Sequence, residues 1–215
     1  MSAIDPADVS LIVIAKAPRP GFAKTRLIPD LGEAGAARVA EASIADTLWA
    51  VAETPAARRV LVLDGEPGDW LPRVEGREFE VIPQREGGLG DRLAGAFEDS
   101  GAAPALLIGM DTPQVTASLL EASIEALSAD GVDAVLGPAS DGGYWAIGLR
   151  DEQPAIFDDV PMSAEDTGER QRERIAELGL NFTELEQLRD IDTIADAHAV
   201  AAVTPWTRMA AALRA

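Results

Sequence analysis

Four basic side chains lie within eleven residues near the start of the sequence, in the stretch SLIVIAKAPRPGFAKTRLIPDLG: Lys16, Arg19, Lys24 and Arg26. The apolar residues before them predict a strand that leads into a loop. α/β proteins often bind phosphates at the junction between a strand and the loop that follows it. Lys24 supplies a point charge and Arg26 a planar fork that suits phosphate oxygens. Pro18 fixes the backbone and Gly21 frees it, so the loop can curl around an anion. The alternative is a solvated loop whose cations offset the negative charge of the protein itself.

The same loop partly matches the Walker A phosphate loop, G-x-x-x-x-G-K-[ST], through its letters AKT. Both glycines are missing, because Ala23 stands at the second position and Pro18 at the first. A proline has no N–H to donate to a phosphate. The sequence therefore argues against a Walker A loop.

In the stretch LLIGMDTPQV, the carboxylate Asp111 directly follows the apolar residues LLIGM. At the carboxyl end of a buried strand it is placed to hold a divalent ion, and Mg²⁺ needs few protein carboxylates when phosphates and water complete its shell. The alternative is that Asp111 caps a helix that begins near Pro113.

Two further carboxylates, Asp190 and Asp192, stand in the stretch LRDIDTIADA before a predicted late helix. Asp192 is the candidate for a second metal ligand, and Asp190 ranks behind it. Thr193 and Asp196 offer a capping box at the same place, so both aspartates also have a structural interpretation.

The stretch PASDGGYWAIGL combines an acid, two glycines and two aromatic residues: Asp141, Gly142, Gly143, Tyr144 and Trp145. This mixture permits close backbone approach and offers stacking surface to an acceptor molecule. Asp141 is a candidate to orient an acceptor hydroxyl or to act as a general base. The alternative is a tight turn, followed by a strand on which Tyr144 and Trp145 face opposite sides, so that at least one of them packs in the core.

The stretch REGGLGDRL predicts a glycine-rich loop that opens a short helix. Gly88, Leu89, Gly90 and Arg92 are candidates to meet a phosphate or the edge of a base at the helix N-terminus. The alternative is a plain loop and cap, in which Asp91 favours the helix dipole.

Apolar runs typical of buried strands alternate along the chain with segments of helical period. The predicted strands are Leu11–Ala15, Val60–Leu63, Phe79–Ile82, Ala105–Ile108 and Ala134–Leu136. Two helical stripes are Ala40, Ile44, Leu48 and Val51, and Leu120, Ser123, Ile124 and Leu127. The stretch GGYWAIGL indicates a strand antiparallel to the others, and TPWTRMAAALRA indicates a short amphipathic helix. This alternation predicts an α/β fold with a mostly parallel sheet.

The composition limits the partners of the protein. With 18 basic and 37 acidic residues the formal charge is −19, which argues against nucleic acid and anionic membrane surfaces. The absence of cysteine removes disulfides and thiolate chemistry. The start lacks the pattern of a signal peptide and no apolar run spans a bilayer, so we expect a cytoplasmic protein. The length of 215 residues favours a single domain that spans residues 1–215. The sequence is compatible with both a monomer and a homo-oligomer.

Five motifs, in order, resemble a bacterial family with the glycosyltransferase-A fold that is catalogued as a domain of unknown function. They are VIAKAPRPGFAKTRLIPDLG, GGLGDRL, LLIGMDTPQV, LGPASDGGYWAIGL and DIDTIADA, and the resemblance runs from about Ser10 to about His198. Such proteins are usually described as glycosyltransferases or nucleotide-diphospho-sugar transferases. The letters AKTRL are also similar to the AKSRL of phospholactate guanylyltransferases, which transfer a nucleotidyl group. In nucleotidyltransferases of this fold, a segment DTPEDL supplies a second metal ligand. The segment DIDTIADA is similar to it, but Ile194 stands where DTPEDL has its proline.

The resemblance implies a Rossmann-like three-layer sandwich and a role for each motif. The loop after the first strand would hold the nucleotide through Ala15, Lys16, Pro18, Gly21, Lys24 and Arg26, together with Gly88, Leu89, Gly90 and Arg92. Asp111 and Asp192 would bind Mg²⁺ or Mn²⁺. Asp141, Gly142, Gly143, Tyr144 and Trp145 would line the acceptor side.

These expectations combine into metal-assisted transfer from a nucleotide-activated donor to a small-molecule acceptor, with Lys24, Arg26, Asp111 and Asp141 as the catalytic residues. Loss of a nucleoside diphosphate would transfer a sugar, and loss of pyrophosphate would transfer a nucleotidyl group. We expect the glycosyl reaction, because the DGGYW signature belongs to the family so described. A nucleotidyltransferase and a non-catalytic nucleotide-binding protein remain as alternatives.

Overall fold

A seven-stranded sheet forms the centre of the computed structural model, which describes residues 4–215. The strands are β1 (Ser10–Lys16), β2 (Arg59–Asp64), β3 (Glu80–Pro83), β4 (Ala105–Gly109), β5 (Ala134–Pro138), β6 (Tyr144–Leu149) and β7 (Phe182–Glu184). Their order across the sheet is β3-β2-β1-β4-β6-β5-β7. β6 runs antiparallel to β4 and β5, and the other pairs are parallel. The predicted mostly parallel sheet with an antiparallel strand is therefore confirmed.

The described residues form six α-helices: α1 (Ile28–Glu53), α2 (Leu89–Ser100), α3 (Ala117–Ser128), α4 (Thr167–Glu177), α5 (Ile194–Val203) and α6 (Arg208–Arg214). The first four connect strands, and α5 and α6 follow β7. The helical run of α1 breaks at Gly32, whose φ of 68° lies in the left-handed region that favours glycine. Short 3-10 turns stand at Pro6–Asp8, Thr25–Leu27 and Pro154–Phe157.

The central strands of the sheet are buried on both faces, which is why they are apolar runs without polar alternation, whereas the edge strands β3 and β7 are largely exposed. Leu11 and Val13 of β1 pack with α1 and α3 on one face. Ile12 of the same strand packs on the other face with side chains of α2 and α4, among them Phe97 and Ile175. Helices thus cover both sides of the sheet, which gives the three-layer arrangement expected from the resemblance.

Both predicted helical stripes lie in the core, with Ile44 and Leu48 of α1 and Leu120 and Leu127 of α3 fully buried. The structure does not support the alternative in which Asp111 caps a helix that begins near Pro113. This helix begins at Ala117 with Thr116 as its cap, because the Thr116 hydroxyl accepts the Leu119 N–H. Asp111 therefore lies before the helix and does not cap it.

The C-terminal helix α6 packs against α1 and α5, as the amphipathic pattern of its sequence predicts. Met209 of α6, Val39 of α1 and Val200 of α5 are buried in one cluster. Ile191 belongs to the same cluster and is fully buried between the two carboxylates Asp190 and Asp192. This packing fixes the acidic segment next to the sheet. None of the helices in residues 4–215 has the length and apolar character needed to cross a membrane.

Candidate functional site

A cleft of about 1320 Å³ opens at the edge of the sheet where the parallel strands have their carboxyl ends. The residues that follow β1 and β4 line it, and so does the turn that leads into β6. In open α/β sheets this edge is where ligands bind, because the loops that leave parallel strands converge there.

The basic loop after β1 forms one wall of the cleft. The aromatic ring of Phe22 contacts two cations of this loop. The Arg19 guanidinium lies 4.4 Å and the Lys16 ammonium 5.8 Å from the centre of the ring. Lys16 and Phe22 line the cleft. Lys24 has left-handed backbone angles, φ 51° and ψ 42°, which are uncommon for a residue other than glycine.

Two cations of this loop reach across to carboxylates. The Lys24 ammonium lies 2.8 Å from Asp111 and also donates to the backbone carbonyl of Ile191. Arg26 forms an ion pair with Asp192 although most of its side chain is exposed. The basic loop and the acidic segment therefore meet directly.

Three carboxylates form the adjoining acidic wall: Asp141, Asp190 and Asp192 each offer an oxygen, and these oxygens lie within 4.8 Å of one another. Backbone contacts bring the three together from distant parts of the chain. The Ile191 N–H donates to the Asp111 carbonyl at 3.0 Å, and the Ser140 N–H donates to the Leu188 carbonyl at 2.9 Å. The cluster is thus assembled by the loops that leave β4, β5 and β7.

The acidic cluster has fewer cations than its charge requires. Burial, and after it the negative charge of Asp141, raise the pKa of Asp190 to about 6, and the positive charge of Lys24 opposes this rise only in part. Carboxylate oxygens in such an arrangement are the hard ligands that Mg²⁺ and Mn²⁺ take. The donor set therefore fits a divalent cation.

The turn at Asp141 is shaped by its glycines. The Asp141 carboxylate accepts the Gly143 N–H at 2.8 Å, which fixes the side chain over its own turn. Gly142 has a φ of 92°, and its carbonyl accepts the Gly168 N–H at 2.7 Å. A Cβ atom at Gly142 would collide with the backbone carbonyl of Glu165. The glycines thus allow this turn to pack against the start of α4.

The two aromatic residues after this turn have different surroundings. Tyr144 is half-buried and donates from its hydroxyl to Gln171 at 3.2 Å, and burial raises its pKa. Trp145 is 3% exposed, and its indole N–H donates to the Glu186 carbonyl at 2.9 Å. Trp145 therefore packs in the core, as the alternation of a strand requires for one of the two.

A polar network closes the cleft on the side of β2 and β3. The Arg92 guanidinium donates to Asp64 at 2.9 Å and to the Gln84 side chain at 3.3 Å. Gln84 donates in turn to the carbonyls of Ala15 and Val62, at 2.7 and 3.1 Å. Arg92 is thus held in one position beside the ends of β1 and β2.

The sequence of this chain matches the model of a known protein family. A model described as "Uncharacterized protein conserved in bacteria (DUF2064)" matches residues 47–164, which is more than half of the sequence. The chain belongs to the DUF2064 family. The resemblance carried by the five sequence motifs is thereby confirmed. A search of the curated proteins found no match.

Solved structures confirm the fold of this DUF2064 protein. A proposed nucleotide-diphospho-sugar transferase from Desulfovibrio desulfuricans is 26% identical with a TM-score of 0.84, over 100% of this chain and 95% of that chain. A 4-diphosphocytidyl-2C-methyl-D-erythritol synthase from Anaerococcus prevotii is 12% identical with a TM-score of 0.60, over 92% and 97%. A cytidylyltransferase from Leptospira borgpetersenii is 12% identical with a TM-score of 0.53, over 96% and 92%. The last two likenesses concern the fold alone.

The structure brings most sequence-predicted site residues of this DUF2064 protein to the cleft. Those that line it are Ala15, Lys16, Lys24, Arg26, Leu89, Arg92, Asp111, Asp141, Gly142, Gly143, Tyr144, Trp145 and Asp192. Pro18, Gly21, Gly88 and Gly90 shape the adjoining loops and do not line it. The Gly88 N–H, for example, donates to the Asp91 carboxylate at 2.9 Å at the start of α2.

Sequence reasoning did not select Gln84 or Asp64, and it placed Asp190 behind Asp192. Gln84 and Asp64 stand at or just after the carboxyl ends of β3 and β2, the same signal that selected Asp111, and that signal would have found them. Asp190, ranked behind Asp192, is a full member of the acidic cluster. Its contact with Asp141 joins residues far apart in the chain, so the sequence carries no local trace of it.

Proposed function

We propose that this DUF2064 protein is a divalent-metal-dependent transferase that uses a nucleotide-activated donor. The observation that carries the proposal is that a basic loop and a carboxylate cluster line the same cleft. A polyanionic donor needs cations, and a carboxylate wall admits such a donor only with a metal ion between them.

The basic wall supplies the donor side. Lys16, Lys24 and Arg26 line the cleft and would hold the phosphates, and Arg92, which also lines it, would meet the base. A cleft of about 1320 Å³ exceeds the roughly 300–1,000 Å³ of pockets for a single drug-sized ligand. It therefore has room for a donor and an acceptor together.

The acidic wall supplies the metal ligands. Asp192 and Asp111 are the proposed ligands, and Asp190 and Asp141 stand within reach of Asp192. A divalent cation bound there would neutralise charge on the phosphates and on the leaving group. The basic side chains of the loop would orient the donor, and their positive charge would reduce the repulsion between the acidic wall and the donor phosphates.

The acceptor side is proposed for the turn around Asp141. Asp141 is exposed at the cleft, while Gly142 and Gly143 let a ligand approach the backbone and Tyr144 forms part of the wall. In this position Asp141 would orient an acceptor hydroxyl or take its proton. Trp145, whose indole is held in the core, would support this wall from behind.

Glycosyl transfer is the preferred reaction, with a nucleoside diphosphate as the leaving group. The likeness to the proposed nucleotide-diphospho-sugar transferase covers all of this chain, which favours it. Nucleotidyl transfer with release of pyrophosphate is the second candidate, favoured by the AKTRL letters of the basic loop.

Thermal unfolding with a panel of nucleoside triphosphates and nucleotide-diphospho-sugars, each with and without Mg²⁺, tests the proposal. A ligand at 100 times its dissociation constant adds about 2.7 kcal/mol to the stability, and for a chain of this size that raises the midpoint by roughly 5–10 °C. We expect a Mg²⁺-dependent shift for one nucleotide class. No shift with any nucleotide would contradict the proposal.

Two variants connect the shift to the acidic wall. Asp192→Asn is expected to abolish the Mg²⁺-dependent part, whereas Glu165→Gln, a carboxylate of the same cleft outside the cluster, is the matched control and keeps it. Release of nucleoside diphosphate or of pyrophosphate from the stabilising nucleotide then separates the two reactions. Binding without either product after long incubation would indicate a non-catalytic nucleotide-binding protein.

A further inference from the structure

Lys24 is the most enclosed cation of the basic loop. Its side chain is 6% exposed, and its ammonium is held by the Asp111 carboxylate at 2.8 Å and by the Ile191 carbonyl. Asp111 by contrast is 44% exposed, so the carboxylate stays open to the cleft on its other side. Lys24 thus has both of its partners within the protein itself.

This position conflicts with a metal ion at Asp111. A unit positive charge in contact with a carboxylate repels a divalent cation that approaches the same carboxylate, and partial burial strengthens the repulsion because water screens it less. The ammonium and the cation therefore compete for Asp111.

A bound polyphosphate offers Lys24 another partner. Lys24 lines the same cleft as the exposed Lys16 and Arg26, so the phosphates of a donor held by those side chains would lie beside the loop that carries it. A lysine has a flexible stem and three donors, and it moves between acceptors more readily than a planar arginine.

We propose that Lys24 couples nucleotide binding to metal binding, as an internal counter-cation that occupies Asp111 in the free protein and moves to the donor phosphates when they bind. This inference rests on the proposed function. Coupling between two ligands is reciprocal, so the nucleotide tightens the metal as much as the metal tightens the nucleotide. The site would therefore bind the metal weakly until a donor is present.

The test measures binding of Mn²⁺ alone by calorimetry to the wild type, Lys24→Met and Lys16→Met. Lys16→Met is the matched control, because it removes the same charge from the same loop without touching Asp111. We expect Lys24→Met to tighten Mn²⁺ about tenfold or more, within the usual range of such couplings, and Lys16→Met to change it little. Unchanged or weaker Mn²⁺ binding in Lys24→Met would overturn the inference.

A second variant keeps the inference testable if Lys24→Met does not fold. Asp111→Asn removes the carboxylate that holds Lys24, so the binding of ADP, CDP, GDP or UDP in EDTA, tested singly, is expected to tighten severalfold for the base that the protein accepts. Unchanged affinity for that nucleotide would contradict the inference.

The proposed function and this inference fail differently. If neither the wild type nor the variants bind Mn²⁺ or a nucleotide, the proposed function is wrong and the inference falls with it. If the wild type binds both and Lys24→Met alters neither coupling nor metal affinity, only the inference is wrong.

Discussion

At the scale of single residues, the turn at Asp141 shows how backbone freedom serves the site. The Asp141 carboxylate is fixed by the Gly143 N–H, and the residue between them, Gly142, has a positive φ. The same glycine lets the backbone before α4 approach closely. One residue type thus positions a carboxylate of the acidic cluster and closes the fold behind it.

Gly142→Ala is expected to destabilise the protein by about 3 kcal/mol or more. A positive φ costs an L-residue roughly 1–2 kcal/mol, and the collision with the Glu165 carbonyl adds strain that backbone cannot relieve cheaply. The measurement is urea unfolding followed by circular dichroism.

Gly131→Ala is the matched control, because Gly131 also has a positive φ, 76°, but has nothing within 4 Å of its Cβ direction. It should cost only about 1 kcal/mol. Equal costs for the two variants would show that close packing at Gly142 does not matter.

At the scale of elements, the C-terminal helix α6 is tied to α1 by one carboxylate. Asp46 of α1 is 9% exposed and accepts the N–H groups of Arg208 and Met209, at 3.1 and 2.9 Å. The Arg208 guanidinium also donates to it, at 3.2 Å. Asp46 thus caps a helix other than its own, satisfying N–H groups that a first helical turn leaves unpaired.

Asp46→Ala is expected to lower the stability by about 2 kcal/mol, since it leaves the partly buried N–H of Arg208 and the buried N–H of Met209 without an acceptor. For a chain of this length the midpoint of thermal unfolding should fall by roughly 4–8 °C. Glu41→Ala, at an exposed position of the same helix, serves as the control and should change the midpoint by little. A midpoint as high in Asp46→Ala as in the control would argue against the cap.

At the scale of the whole molecule, we propose that residues 1–215 form one domain. Helix α1 packs on the sheet through Ile44 and on α5 and α6 through Val39, so the same helix belongs to both clusters. The family match ends at residue 164, but the acidic cluster needs Asp190 and Asp192 from beyond it. The C-terminal part is therefore a component of the site.

One domain predicts one cooperative unfolding transition. Circular dichroism and tryptophan fluorescence should give the same midpoint, because the four tryptophans report on separate parts of the chain, including α1 and β6. Two separate midpoints would show that the C-terminal helices unfold independently.

The sequence by itself determined the elements that are buried on both faces and the order in which they occur. An apolar run rich in β-branched residues, such as that of β1, is typical of a strand buried on both faces, and the stripe through Ile44 and Leu48 is typical of a helix packed on the sheet. The short edge strand β7 was not predicted from the sequence. Its three residues are too few to show a hydrophobic pattern, and the strand depends on its neighbour β5 for hydrogen bonds. Elements that carry their own hydrophobic pattern are thus readable in advance.

Only the tertiary structure decided which charges face one another. Lys24 pairs with Asp111, and Asp141 joins Asp190 and Asp192, across separations of many tens of residues. Such contacts arise from the sheet order, which brings the loops after β1, β4, β5 and β7 to one edge. Charge interactions depend on distance in space and on burial, and neither is written in the local sequence. The residue types at the site were therefore predictable, and their partners were not.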